Sequence, residues 1–458
     1  MKPLVRQLSD LYGDLRHFGR RQIRDEVSKN ALLPAANVRT LSETLFQNRV
    51  GDAIRRNAFY SDKVLQHCGS TLQSDAVAPA LLPVWTRQDQ NDLMMAQSGS
   101  PIPGAFLHAT GGSTGSPTRF YVTRESYEWR TAVSDRGYSW AGAEEGRKSY
   151  YVWGSPIKPL SPLKKCKIEL QHIIQRREYF DSFIFNDERK EACCREISRF
   201  KPDALVGYAG NLVDLALFVL AHPGKLNWKA RSVVTGAEGL QPGQRELLQA
   251  TLADEVFMSY GSREFMLIGM ECREHSGYHI SADNLYVEVV DEAGQSVMPG
   301  RSGRILVTDL RNMANPFIRY QIGDMGTMSL NQCRCGLPFP LLASVDGRIQ
   351  EFLYTTSGEK MTALFIPHLL KEFSWVRGYQ IVQTDKANIR VNVISDGELT
   401  SALTEPMVHA LRAKLGSAIN VTIVRVAALQ KGASGKVPIV IQEVSDSSDG
   451  SLKMNQAK

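Results

Sequence analysis

Between residues 120 and 262 the chain alternates short apolar runs with longer helix-patterned segments, and this alternation constrains the fold more than any other feature. Thr123-Arg124-Glu125-Ser126 opens a helix running to about Gly142, with Thr123 as its N-cap and Ser126 in the first turn. Residues 150–153 read as a strand that Gly154-Ser155-Pro156 breaks. Further strands are expected at 183–185, 204–206, 232–235 and 256–259, with helices at 188–200, 211–221 and 244–252 between them. Parallel strands cannot be joined by a tight turn and need a crossover, usually a helix. Strand–helix alternation therefore predicts a parallel sheet with helices on its faces. Ligands bind such sheets beyond the carboxyl ends of the strands, so chemistry is to be sought just after the predicted strands.

From Gly277 the texture changes. Short strands at 285–290, 303–308 and 326–328, set between Gly and Asp turns, suggest a small antiparallel or barrel-like subdomain. Beyond Arg348 comes a compact tail: a strand at 350–354, a Gly358 turn, a helix at 364–372, strands at 378–384 and 389–394, a helix at 400–415 and a strand at 420–426. At the other end, Leu4, Leu8, Leu11 and Leu15 follow a helical rhythm, and 41–60 reads as a helix docking on the main body. Thr86 is a plausible N-cap with Asp89 three residues on. The expected fold class is α/β. Residues 1–347 form a large N-terminal domain with parallel sheets flanked by helices plus the barrel-like subdomain. Residues 348–445 form a small α+β C-terminal lid domain, and 446–458 a polar, disordered tail.

Before the first long helix lies HATGGSTGSPTRF, in which Thr110–Ser116 are only Gly, Ser or Thr. Glycine permits positive φ and close approach of backbone to a ligand. Hydroxyls and free N–H groups suit phosphate oxygens. The same composition also describes a flexible turn. It is not a Walker A loop, which needs a Lys after its last Gly, and no GxGxxG is present. Downstream stand Tyr260-Gly261-Ser262-Arg263-Glu264, Tyr320-Gln321-Ile322-Gly323-Asp324, Asp346-Gly347-Arg348 and Ser434-Gly435-Lys436.

In that order and spacing, over roughly residues 105–440, the set resembles the AMP-forming adenylating superfamily, and within it phenylacetate–CoA ligase and its capsule-polysaccharide-type relatives. The resemblance implies that a carboxylate attacks the α-phosphorus of ATP to give an acyl-adenylate and pyrophosphate. It implies that Thr110, Gly111, Gly112, Ser113, Thr114 and Gly115 receive the β- and γ-phosphates, and that Glu264 helps hold Mg²⁺. Asp324 would bind the ribose hydroxyls and Arg348 ribose or phosphate. Gly236-Ala237-Glu238 and Ser259-Tyr260-Gly261-Ser262 resemble the segments around the adenine. Lys436, in the Gly-bracketed turn GASGKVP, would bring an ammonium from a mobile lid to the carboxylate and α-phosphate. A lone Lys of this kind is otherwise a solvent-exposed residue. Three departures stand out: Ser116 where many relatives have Lys, Arg263 where many have Thr or Ser, and Ile349-Gln350-Glu351 where the hinge is often Asp.

Tyr151, Trp153, Tyr208 and Gly210 are the expected acyl pocket, with Tyr138 and Trp140 adding to an aromatic set that suits a planar aryl or alicyclic acid. Each of these also reads as ordinary core, and no positive residue in the set pairs with a second carboxylate. Cys272-x6-His279 with Cys333-Arg334-Cys335 is a zinc-ligand pattern, His275 being the alternative fourth ligand. The competing reading is a set of reduced buried cysteines.

Seven cysteines in 458 residues do not make a disulfide scaffold. The net charge of +6 is spread along the chain without a basic run, which suits anionic substrates and gives no nucleic-acid signature. No apolar stretch is long enough to insert in a membrane, and the N-terminus lacks a signal-peptide core. A cytoplasmic monomer or homodimer is expected, with a small acid, ATP and an acceptor as partners. The acceptor implied is coenzyme A. An amine, amino acid or hydroxyl acceptor in a secondary-metabolite or polysaccharide pathway, or a carrier-protein thiol, is the alternative. A catalytically silent nucleotide-binding relative is the remaining one.

Overall fold

The computed structural model describes residues 19–69, 77–97, 102–109, 118–153, 162–182, 185–241, 243–348, 352–357, 360–362, 365–370, 373, 375–395, 397–431 and 437–443. These fall into two compact units, one drawn from Met1–Leu240 and Gln244–Arg348, the other mainly from Ile349–Gly432 and Val437–Lys458.

The first unit begins with helices α1 (Arg20–Asn30), α2 (Ala35–Arg56), α3 (Ala58–Cys68) and α4 (Arg87–Ala96). The helix expected at 41–60 is two helices, because Asn57 leaves the helical conformation and its side chain caps α3 at the Tyr60 N–H. Thr86 and Asp89 form the reciprocal capping box that starts α4. A short antiparallel pair, β1 (Phe106–Ala109) and β2 (Arg119–Val122), flanks the Gly/Ser/Thr segment. Then come α5 (Arg124–Trp140), capped by Thr123 at the Ser126 N–H, and β3 (Ser149–Trp153).

The strand expected at 183–185 lies earlier, as β4 (Arg177–Asp181), after a helix α6 (Pro162–Gln175) that the sequence reading did not anticipate; residues 183 and 184 lie outside the described residues. Arg177 and Tyr179 obscure the apolar pattern there. Next are α7 (Asp187–Phe200), β5 (Ala204–Tyr208), α8 (Ala209–Ala221), β6 (Ala230–Gly236), α9 (Gln244–Thr251) and β7 (Ala253–Ser262). Strands β4, β3, β5, β6 and β7 pair in parallel in that spatial order.

Successive side chains of a strand face opposite ways, and the two faces carry separate cores. Tyr150, Val152, Leu205, Val233 and Val256 pack under α7, α8 and α9 through Cys193, Ile197, Leu212 and Leu248. Tyr151, Val206, Val234 and Phe257 face the end of α5 and its exit at Ala141 and Ala143.

The strands expected as a small antiparallel or barrel-like subdomain are antiparallel and continue this sheet. With three strands the sequence reading did not anticipate, they make up β8 (Met266–Glu271), β9 (Tyr278–Ile280), β10 (Leu285–Val290), β11 (Ser302–Asp309), β12 (Tyr320–Met328) and β13 (Leu341–Arg348), the expected ones being β10, β11 and the end of β12. The result is one 11-stranded mixed sheet, ordered β10-β11-β12-β13-β9-β8-β7-β6-β5-β3-β4. Strand β7 joins its halves: Ala253–Met258 pair in parallel with β6, and Ser259–Ser262 antiparallel with β8.

The second unit holds β14 (Phe352–Tyr354), β15 (Lys360–Thr362), α10 (Phe365–Leu370), β16 (Val376–Asp385), β17 (Asn388–Ser395), α11 (Ser401–Leu415), β18 (Asn420–Arg425) and β19 (Val440–Gln442). Its four-stranded sheet, ordered β18-β17-β16-β19, packs Ile381, Val391 and Val393 against Met407 and Leu411 of α11.

Candidate functional site

The carboxyl ends of the parallel strands carry Trp153, Tyr208, Gly236 and Ser259, one after another across the sheet. Gly236 is fixed by space. A Cβ there would lie 3.2 Å from Ser259 Oγ and 3.3 Å from the Trp153 ring. Ala237 follows at φ 70°, a left-handed conformation that a non-glycine residue adopts at a cost. The chain thereby turns so that a Glu238 carboxylate oxygen accepts the Gly210 N–H at 3.1 Å. Gly210 lies in the first turn of α8, where backbone N–H groups lack intrahelical partners and a carboxylate is favoured. The expected adenine segment and the expected acyl-pocket residue Gly210 are thus tied directly together.

Past Ser259, strand β7 runs into the motif Tyr260–Glu264. Gly261 is required by the close β7–β8 turn, since a Cβ would meet the Met266 carbonyl oxygen at 2.2 Å. The Tyr260 hydroxyl donates to Asp324 Oδ2 at 2.8 Å. Asp324 sits at an irregularity in the β11–β12 pairing, beside Gly323 at φ 91°, and its Cα is registered with that of Arg348 across β12–β13. Glu264 lies in the β7–β8 turn, with the Tyr320 hydroxyl 3.5 Å from its Oε1. Burial and the Glu264 carboxylate push the Tyr320 phenol up, so it stays a donor. Ser262 Oγ is buried with no hydrogen-bond partner among the described residues. Ser259, Tyr260, Gly261, Ser262, Glu264, Asp324 and the Arg348 backbone therefore gather about the β7–β8 turn and the adjoining end of β12–β13. Thr110, Gly111, Gly112, Ser113, Thr114, Gly115 and Lys436 lie outside the described residues, as does the side chain of Arg348.

In the expected acyl pocket, Trp153 and Tyr208 have ring centroids 4.2 Å apart. Tyr151 stacks on Tyr179 at 4.5 Å, and Tyr179 on His172 at 4.4 Å. Tyr138 comes from α5 to within hydrogen-bonding reach of the Ser259 hydroxyl. The sequence reading saw no cation here, yet the Arg177 guanidinium lies 5.6 Å from the Tyr151 ring. Burial opposes its charge, but Tyr151, Tyr179, Glu145 and Asp135 around it raise its pKa. Burial pushes the Tyr151 phenol up to about 12. Tyr151, Tyr179 and Arg177 therefore bring neutral phenols and a charged guanidinium together. The available signal was the period-two pairing of Arg177 with Tyr179 on one face of a strand.

A second cluster is built from other residues. Sγ of Cys272, Cys333 and Cys335 and a ring nitrogen of His279 all lie within 4.8 Å of one another. His275 is not among them; its Nδ1 is 3.1 Å from Arg245 and 3.3 Å from Glu271.

Comparison with known proteins agrees with the motif resemblance. Residues 353–443 match the family model described as the CapK C-terminal domain. The chain is 25% identical over 321 residues to the phenylacetate–coenzyme A ligase of Thermus thermophilus, covering 66% of each chain. It is 24% identical over 218 residues to protein CapK of Staphylococcus aureus, covering 47% of this chain and 46% of that one. The alignments thus span about two thirds or less of these curated relatives. In structure, the chain matches 2-hydroxyisobutyryl-CoA ligase in the postadenylation state, in complex with 2-HIB-AMP, with a TM-score of 0.70 at 20% identity over 91% of each chain. That likeness is one of fold.

Proposed function

We propose that this chain is an AMP-forming ligase that activates an aryl or alicyclic carboxylic acid with ATP and passes the acyl group to coenzyme A. The observation that carries this reading is the gathering of Tyr260, Ser262, Glu264 and Asp324 at the β7–β8 turn, with the Tyr260–Asp324 hydrogen bond at 2.8 Å. An acceptor-only carboxylate held by a phenol suits a vicinal diol such as ribose. Mg²⁺, held by Glu264 and phosphate oxygens, would neutralise charge on the nucleotide. In the first step a substrate carboxylate oxygen bonds to the α-phosphorus and the bond to the pyrophosphate oxygen breaks. In the second, a thiolate attacks the acyl carbon and AMP leaves. Lys436 supplies the ammonium for the charge that develops on the α-phosphate in the first step.

The Trp153–Tyr208 pair and the Tyr151–Tyr179 stack supply flat apolar walls for the acid. Arg177 and the phenols favour acids carrying a further oxygen substituent. The motif resemblance to the capsule-polysaccharide-type relatives leaves room for a second reading, in which an amine, an amino acid or a hydroxyl takes the acyl group.

The test is acid-dependent ATP–pyrophosphate exchange over a panel of aryl, alicyclic and fatty acids, with coenzyme A or amines added afterwards. Exchange is expected with aryl or alicyclic acids and to fall about a hundredfold or more in Lys436→Ala, while ATP binding persists. Near-normal exchange in that variant overturns the role of Lys436. ATP binding without exchange for any acid favours a silent relative.

A further inference from the structure

The four residues of the Cys/His cluster come from three separate segments. Cys272 follows the last residue of β8, His279 is the middle residue of β9, and Cys333 and Cys335 lie in the connection between β12 and β13. Cys272 Sγ is 3.6 Å from Cys333 Sγ, and Cys335 Sγ is 3.3 Å from His279 Nε2. A disulfide would need about 2.05 Å. A tetrahedral zinc with bonds of about 2.3 Å to sulfur and 2.0–2.1 Å to nitrogen has ligand–ligand edges of roughly 3.5–3.8 Å.

Hydrogen-bond donors surround the sulfurs. Each sulfur is met by the backbone N–H two residues further on. Glu274 donates to Cys272, Cys335 to Cys333, and Leu337 to Cys335 at 3.4 Å. The Ser276 hydroxyl adds a contact at 3.2 Å from Cys333 Sγ. Such donors are the second sphere that metal-bound sulfur accepts from. His279 is buried, with Nδ1 3.4 Å from the Phe339 carbonyl oxygen. That contact places the proton on Nδ1 and leaves the Nε2 lone pair facing the sulfurs, the usual second sphere of a metal-bound imidazole.

We propose that Cys272, Cys333, Cys335 and His279 form a closed, structural Zn²⁺ site that cross-links the β12–β13 connection to the β8–β9 hairpin. Each thiol releases its proton as its sulfur takes the metal. With four protein ligands no coordination position is left for a substrate, so the metal performs no chemistry. Its effect is positional. His279 is registered with Met270 of β8, and Met270 with Ser259 of β7. Cys272 is adjacent to Glu271, whose Oε2 accepts the Met258 N–H at 2.8 Å. The metal thus fixes the hairpin that backs Ser259 and Tyr260.

The test measures metal content of the full chain purified without added metal, together with free thiols and thermal unfolding. One zinc per chain is expected, retained in His275→Ala and lost in His279→Ala and Cys333→Ser. Removal by a strong chelator is expected to lower Tm and to make three further thiols reactive. Cobalt(II) restored to the stripped protein should show thiolate charge-transfer and tetrahedral d–d bands. If the ligand variants do not fold, stoichiometry and the cobalt spectrum of the wild-type chain decide the matter. Absence of zinc even after reconstitution overturns the proposal. So does iron in its place, a Cys272–Cys333 disulfide, or loss of zinc in His275→Ala. These readouts do not depend on adenylation, so failure of the ligase reading leaves them intact.

Discussion

At the scale of single residues, the candidate site rests on a few contacts whose removal has a calculable effect. Tyr260→Phe deletes the hydroxyl that donates to Asp324. A hydrogen bond to a charged group contributes about 1.5–3 kcal/mol, so the KM for ATP in the exchange assay is expected to rise roughly tenfold or more, with little change in Tm. An unchanged KM would remove Tyr260 from the site. Gly236→Ala places a methyl between Ser259 and the Trp153 ring, at 3.2 and 3.3 Å. The neighbours must yield by a few tenths of an ångström, so the variant is expected to fold but to raise the KM for bulky acids more than for small ones. Equal effects on all acids would show that Gly236 does not border the acid. Glu264, Asp324 and Tyr260 were legible in sequence because each sits in a short motif with fixed spacing. Arg177, Tyr179 and His172 were not, because their meaning depends on which strands become neighbours.

At the scale of elements, the helix starts at Thr86 and Thr123 were readable, since capping is a local exchange of hydrogen bonds between residues three apart. What holds α5 in place was not readable. Arg136 on α5 makes a two-pronged contact with Asp283 at 2.7 and 2.8 Å, and Asn30 at the end of α1 bonds the same carboxylate. Burial pushes the Asp283 carboxyl up, but Arg136 beside it outweighs this and holds it below its ordinary value. A carboxyl with a lowered folded pKa contributes stability that is full above its unfolded value, about pH 4, and is lost as pH falls below that towards the folded value. Asp283→Asn leaves Arg136 buried without its counter-ion and is expected to cost about 3–5 kcal/mol at pH 7. The gap from the wild type should narrow below pH 4. Denaturant unfolding at pH 7 and pH 3 checks both, and a gap that stays constant would show that the pair does not govern the acid limb.

At the scale of the whole molecule, sequence alone determined the α/β class, the alternation that makes β3, β5, β6 and β7 a parallel sheet, and the order of the motifs along the chain. These are local matters: hydrophobic period, turn residues and capping act over a few residues, and a crossover helix leaves parallel pairing as the solution. Tertiary structure alone decided that the antiparallel strands extend this sheet, because β7 pairs in parallel over its first part and antiparallel over its last. It also decided that Arg177 stands against Tyr151, and that Cys272, His279, Cys333 and Cys335 converge while His275 turns to Arg245 and Glu271. The physical reason is common to all three. Hydrogen-bond partners of a strand edge, the charge beside a buried guanidinium and the spacing within a Cys/His cluster are set by distances between segments remote in the chain, and no local preference encodes those distances.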